Sequence, residues 1–247
     1  MALVKNSLGQ SKDVEGKVTT HVDILLHGRS GAGKTFAAST MPQPMYVIAC
    51  DPTGHKSIPY TTEGKVINQV KEAFDIVEEL HNGGHGYKTV LLDGFSFLND
   101  MFVKEMGWYF HESMGAKDPD LMPIQGRMKI LNRTRALLRD FIDLSQVENE
   151  SDRVHVIITT LEERLKESEE APFNIRPLFG TESMNIKFPA MMSCIGYVSP
   201  RGGQTDEKKI DKTRITLFTE MNGIMARDRL GIFPDYVENI NFSDYIS

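Results

Sequence analysis

The octet Gly28-Arg29-Ser30-Gly31-Ala32-Gly33-Lys34-Thr35 constrains this chain more than any other stretch. It follows the apolar run Val22-Asp23-Ile24-Leu25-Leu26-His27 and precedes Phe36-Ala37-Ala38, so strand, glycine-rich turn and helix come in succession. Glycines let a backbone wrap an anion without Cβ clashes, and the N–H groups of the loop and of the helix start then point at that anion. The G-x-x-x-x-G-K-T spacing therefore predicts a phosphate site for ATP and Mg²⁺. All eight residues cradle the nucleotide, Lys34 reaches the β- and γ-phosphates, and the Thr35 hydroxyl ligates the metal.

Short β-branched or Leu-rich runs alternate with longer segments of helical period, the pattern of βαβ units. Strands are expected at Val22 to His27, Met45 to Cys50, Thr89 to Leu92, Val154 to Thr159, Ser193 to Ser199 and Arg214 to Thr219. Helices are expected at Lys34 to Ser39, Gln69 to His81, Phe97 to Glu112 and Ile124 to Val147. The last two strands are joined by a polar run too short for a crossover helix, which predicts an antiparallel hairpin. The fold class is thus α/β: a mostly parallel twisted sheet with helices on both faces and a C-terminal antiparallel hairpin. A short segment, 1–20, precedes one core, 21–247. Glu162 to Pro189 is Glu-rich and interrupted by Pro172, Pro177 and Pro189, so it reads as a long loop, either partner-binding or a floppy insertion.

Three further stretches carry candidate chemistry. Thr89-Val90-Leu91-Leu92-Asp93 is an apolar run ending in a carboxylate, placed where ligands of open α/β sheets bind; Asp93 is the second metal-side residue after Thr35. No glutamate follows Asp93, so a water-orienting acid has to come from elsewhere, and Asp51 at the end of the second strand is the candidate, although Asp51-Pro52 reads equally as a plain turn. Beyond the fourth strand, Thr160 and Glu162 are candidates for sensing the γ-phosphate, although hydroxyls at strand ends also serve as caps.

Charge narrows the function classes. With 28 basic and 34 acidic residues the net charge is -6, so this is not a polycation that coats nucleic acid, and any DNA contact is local. Cys50 and Cys194 lie in apolar strand-like runs and read as buried, reduced thiols. No apolar stretch approaches the roughly 18 residues of a membrane span, and the amino terminus lacks the apolar core of a signal peptide. A cytoplasmic protein with no membrane partner is expected.

Taken together, the loop, the Asp-ended strand without Glu and the closing hairpin resemble the RecA-like ATPase core. More narrowly, from about His21 to the carboxyl terminus, the chain is similar to small phage ATP-binding proteins of single-strand annealing and recombination. Three stretches carry the narrower likeness: Asp51 to Ser57; Pro177-Leu178-Phe179-Gly180 leading to Phe188-Pro189 and the strand around Ile195; and Ala226-Arg227-Asp228-Arg229-Leu230-Gly231-Ile232-Phe233-Pro234. The resemblance implies a slow, DNA-stimulated ATPase in the host cytoplasm that assembles with itself as a ring or filament. Its partners would be single-stranded DNA and a single-strand-binding protein. Arg227 and Arg229 would be catalytic arginines acting in a neighbour's site, where guanidinium groups suit the developing phosphoryl charge. This chain departs from the class by placing Thr53 where a glutamate is usual.

The same resemblance puts DNA-facing loops at Ser113 to Arg127 and Glu162 to Lys187. They hold Lys117, Arg127, Arg164, Lys166, Arg176 and Lys187, with Phe173 and Phe179 for base stacking. Two other classes compete: an ATP-controlled oligomeric switch for a protein partner, and a small-molecule (nucleotide) kinase. The Glu-rich segment fits the Arg-rich lid of a kinase poorly.

Overall fold

The apolar runs form the middle of one sheet. A computed structural model of the chain describes residues 21–114, 124–166, 174–200 and 213–247, and of 108, 110–114, 124 and 125 the backbone alone. In chain order the strands are β1 (Asp23–Gly28), β2 (Met45–Ala49), β3 (Glu63–Val66), β4 (Thr89–Asp93), β5 (His155–Leu165), β6 (Asn174–Pro177), β7 (Cys194–Pro200), β8 (Arg214–Leu217), β9 (Arg227–Asp228) and β10 (Tyr236–Glu238). The helices are α1 (Lys34–Ala38), α2 (Val70–His81), α3 (Phe95–Met114), α4 (Ile124–Asp143) and α5 (Glu182–Lys187).

Strand order is β10-β8-β7-β1-β5-β4-β2-β3, with β6 beside β5 and β9 beside β7. From β7 to β3 every pair along that path is parallel, and β8 returns antiparallel to β7 as the predicted hairpin. The result is a mixed, mostly parallel α/β sheet. Strand β5 lies between β1 and β4, so the glycine loop after β1 and Asp93 at the end of β4 face each other across its carboxyl end.

Alternation along the strands sorts the core. Leu25, Ile48, Leu92, Val156 and Ile158 join α2, α3 and α4 on one face, whereas Ile24, Leu26, Val47, Leu91 and Ile157 point to the other. That second face is not helical in the way the sequence suggests. Among the described residues the five-residue α1 is the one helix on it, and Ile240, Phe242 and Ile246 of the C-terminal segment complete the cover. At the start of α2 the Glu72 carboxylate accepts from the amides of Asn68 (2.8 Å) and Gln69 (3.2 Å), and Glu105 accepts from the Val70 amide at 2.8 Å.

Several boundaries depart from the sequence reading. Strand β3 is exposed throughout and polar, so no apolar run announces it; pairing with β2 needs only its backbone. The segment from Glu162 is not one loop. Strand β5 continues to Leu165 and pairs antiparallel with β6, and α5 follows with the Thr181 hydroxyl accepting from the Met184 amide at 3.3 Å. Leu161, Glu162 and Glu163 are half-buried in succession, so the extension of β5 shows no strand period. Met106 of α3 is in the core. Both cysteines are free buried thiols, and burial pushes their pKa values up. Among the described residues no helix is long and apolar enough to cross a membrane.

Two buried histidines make the fold acid-sensitive. His27 sets Nε2 2.6 Å from the Met225 carbonyl oxygen, and His155 Nδ1 accepts from the Val22 amide at 3.3 Å. Burial lowers each pKa to about 4, so both rings stay neutral in the fold. An unfolded histidine titrates near 6.5, so between that pH and 4 the unfolded chain binds more protons and stability falls as pH falls. The expected loss by pH 4 is about 3 kcal/mol for each ring. Urea midpoints at pH 7 and pH 4.5 that coincide would contradict this account.

Candidate functional site

The loop after β1 takes left-handed backbone at Gly31 (φ 74°) and Gly33 (φ 96°), conformations that side chains disfavour. Gly28 is required for another reason: a Cβ there would collide with the Val198 carbonyl of β7. The loop curls round the Lys34 side chain, whose Nζ donates to the carbonyl oxygens of Gly28 (2.9 Å) and Arg29 (2.8 Å). Burial lowers the Lys34 pKa to about 8, and the carboxylates of Asp93, Glu162 and Asp51 pull it back up. This ammonium has been taken from water and donates to neutral carbonyls, so it gains from a phosphate anion in the cleft beside it.

Asp93, the last residue of β4, is the centre of the site. Its Oδ1 accepts from the Thr35 hydroxyl at 2.7 Å and from the Thr159 hydroxyl at 2.7 Å. Its Oδ2 is buried without a hydrogen-bond partner, and burial raises the carboxyl's pKa. An orphaned carboxylate oxygen beside a threonine hydroxyl and an ammonium fits a hydrated Mg²⁺ delivered with nucleotide phosphates, the usual arrangement for that ion. Among the described residues no group of three His, Cys, Asp or Glu side chains makes a dedicated metal cage. Thr35 and Asp93 are the residues that would hold the ion.

Asp51 reaches the same point from β2. Burial pushes its pKa up, but hydrogen bonds from the Thr53 amide (2.8 Å) and hydroxyl (2.9 Å) outweigh that and hold it below the usual carboxylate range. Gly54 leaves room between the two acids: a Cβ there would stand 2.7 Å from Asp93 Oδ2 and 3.0 Å from Asp51 Oδ2. The cleft they share with the loop has a volume of about 430 Å³ and is walled further by Phe36, Phe97 and Arg214.

The fourth-strand candidates divide. Thr160 also lines the cleft, but its hydroxyl is spent on the Leu178 carbonyl at 2.6 Å, close to the Ser96 hydroxyl at 2.9 Å. Thr159 touches Asp93 instead, a role the sequence reading missed although strand alternation alone separates the two neighbours. Glu162 takes hydrogen bonds from Arg29 (3.3 Å) and Arg164 (2.5 Å), tying the phosphate loop to the β5–β6 hairpin. Gly54 and Arg214 were missed as well; nothing local marks either.

The remaining candidates lie apart. Arg227 donates to the carbonyls of Pro189 (2.8 Å) and Met192 (3.0 Å) in its own chain, and the Arg229 amide donates to the Ser193 carbonyl at 3.1 Å. Both flank the start of β7, which pairs with the start of β1, so they sit at the sheet edge opposite their own phosphate loop. Arg164 and Arg176 are engaged by Glu162 and Glu163 at 2.5 and 2.7 Å. Arg127, Lys166 and Lys187 are exposed, and Lys117 and Phe173 fall outside the described residues. Phe179 is not available for base stacking. It is buried, with ring centroids 4.8 Å from Phe95 and 5.3 Å from Phe188, because the turn after β6 folds back onto the α3 face.

A glycine loop on a central parallel strand, its lysine and threonine facing an aspartate at the end of another strand, defines a P-loop nucleotide-binding domain. Residues 20–230 match the AAA domain family, and the chain belongs to it. A search of curated proteins found no match.

Proposed function

We propose that the protein is a Mg²⁺-dependent ATPase that assembles on single-stranded DNA and promotes strand annealing or exchange in phage recombination. The observation that carries the nucleotide part is the Thr35–Asp93 pair, with the second Asp93 oxygen unpartnered beside the loop lysine. On phosphate arrival Lys34 exchanges two neutral carbonyl acceptors for charged oxygens, a stronger hydrogen bond. Thr35 and Asp93 would hold the Mg²⁺, which would supply neutralisation of phosphoryl charge when bound. Asp51 orients the attacking water. Held below the usual carboxylate range by Thr53, it is a weak base, which supports slow turnover.

The DNA part rests on the family resemblance and on Arg127, Lys166 and Lys187, which are exposed. With Arg164 and Arg176 engaged by glutamates, each subunit offers few phosphate contacts, so useful affinity requires a self-assembly that sums them along a strand. In such an assembly Arg229, at the sheet edge away from its own loop, serves the neighbour's nucleotide, and Arg227 braces the turn beneath it. Hydrolysis measured with and without single-stranded DNA at two salt concentrations tests the reading. Stimulation that fades with salt and is lost in Arg229→Ala is expected. Turnover unaffected by DNA, with no DNA bound, would leave the oligomeric switch, which the weak basicity of Asp51 favours.

A further inference from the structure

Arg214 takes no part in the chemistry assigned above, yet it hangs over the phosphate loop. It opens β8 opposite Pro200, at the carboxyl end of β7. Asn239 clamps its backbone on both sides: the Arg214 amide donates to Asn239 Oδ1 at 2.9 Å, and its carbonyl accepts from the Asn239 amide at 2.8 Å. The side chain turns back across the loop, so that a Cβ on Gly33 would run into Arg214 Nε. Its guanidinium carbon lies 4.9 Å from the centroid of the Phe36 ring, and that ring is 38% exposed although it directly follows the loop threonine. Both side chains line the cleft that holds Lys34 and Asp93. Among the described residues no carboxylate pairs with Arg214.

An arginine that no carboxylate among the described residues pairs, held over an exposed aromatic ring, presents two flat, weakly hydrated surfaces to the cleft mouth. Phosphates bound by the loop leave the group they carry in the same cleft, which Phe36 and Arg214 wall. A planar heterocycle attached to those phosphates meets this pair, and stacking on ring and guanidinium faces gives affinity without reading hydrogen-bond edges. We infer that Phe36 and Arg214 seat the nucleobase of the bound triphosphate, with the guanidinium face laid on the heterocycle. The β7–β8 hairpin is then part of the nucleotide site of its own subunit. This inference rests on the phosphate-site reading and names what lies at the other end of the ligand.

Calorimetric titration of the full chain with Mg-ATP and, separately, with Mg-tripolyphosphate distinguishes base from phosphate contact. In Arg214→Ala and Arg214→Lys the Kd for ATP is expected to rise about tenfold, as removal of one stacking face predicts, while the Kd for tripolyphosphate stays within about twofold. Phe36→Leu is expected to behave in the same way, and retained tripolyphosphate binding shows that each variant is folded. Arg214→Ala weakening both ligands equally, or Arg214→Lys restoring ATP affinity, would make Arg214 a phosphate contact and overturn the inference. Unchanged ATP affinity in Arg214→Ala and Phe36→Leu would overturn it too. A wild-type chain that binds neither ligand would remove the phosphate site itself, and this inference with it.

Discussion

Lys34→Ala is expected to lower ATP hydrolysis by about a hundredfold to a thousandfold, the scale on which one preorganised charge contact to a reacting group acts. The Lys34 ammonium is taken from water by the loop and satisfied there only by the Gly28 and Arg29 carbonyls. Its removal takes away the cation that the phosphates would meet. Folding is expected to survive, because alanine removes a desolvated charge rather than a packed apolar group. The pH profile carries the same information. Because the Lys34 pKa is lowered to about 8, ATP affinity falls about tenfold per pH unit above that value, as binding must then take up a proton. Hydrolysis by Lys34→Ala at the wild-type rate would remove the central claim about this site.

Asp93→Asn separates stability from function. The Asp93 carboxyl is buried, has one oxygen without a partner and lies across Gly54 from the Asp51 carboxylate. Removing that charge relieves both the desolvation and the repulsion, so a gain of about 1 kcal/mol, or about 2–4 °C in Tm, is expected. The amide oxygen still accepts from Thr35 and Thr159, but it is a poor ligand for Mg²⁺, and Mg²⁺-dependent hydrolysis should fall at least about a hundredfold. A Tm drop of several degrees in Asp93→Asn would mean that the carboxylate is a structural anchor. Sites that bind charged ligands carry such unfavourable arrangements when empty, and the ligand offsets them.

Much of this molecule was legible before its tertiary structure. The P-loop residues, Asp93 and the hairpin were readable because each depends on consecutive residues: glycines at fixed intervals, an apolar run closed by an acid, two apolar runs on a polar connection. What was misread depends on distant partners. Strand β3 carries no apolar pattern, since an edge strand is held by backbone pairing alone. Phe179 looked available for stacking because nothing local shows that its turn folds onto Phe95 and Phe188. Arg164 and Arg176 looked like free cations until the β5–β6 register placed Glu162 and Glu163 against them.

The amino-acid sequence by itself determined that the chain builds a phosphate loop on an apolar strand, because loop geometry and hydrophobic period are properties of neighbours along the backbone. Only the tertiary structure decided which hydroxyl of the Thr159–Thr160 pair meets Asp93, that Gly54 stands between two carboxylates, and that Arg214 overhangs Gly33. Those contacts join positions tens to nearly two hundred residues apart. Their chemistry comes from which strands lie side by side, and in a sheet ordered β7-β1-β5-β4-β2 all adjacent pairs but β5 and β4 join strands that are not consecutive in the chain.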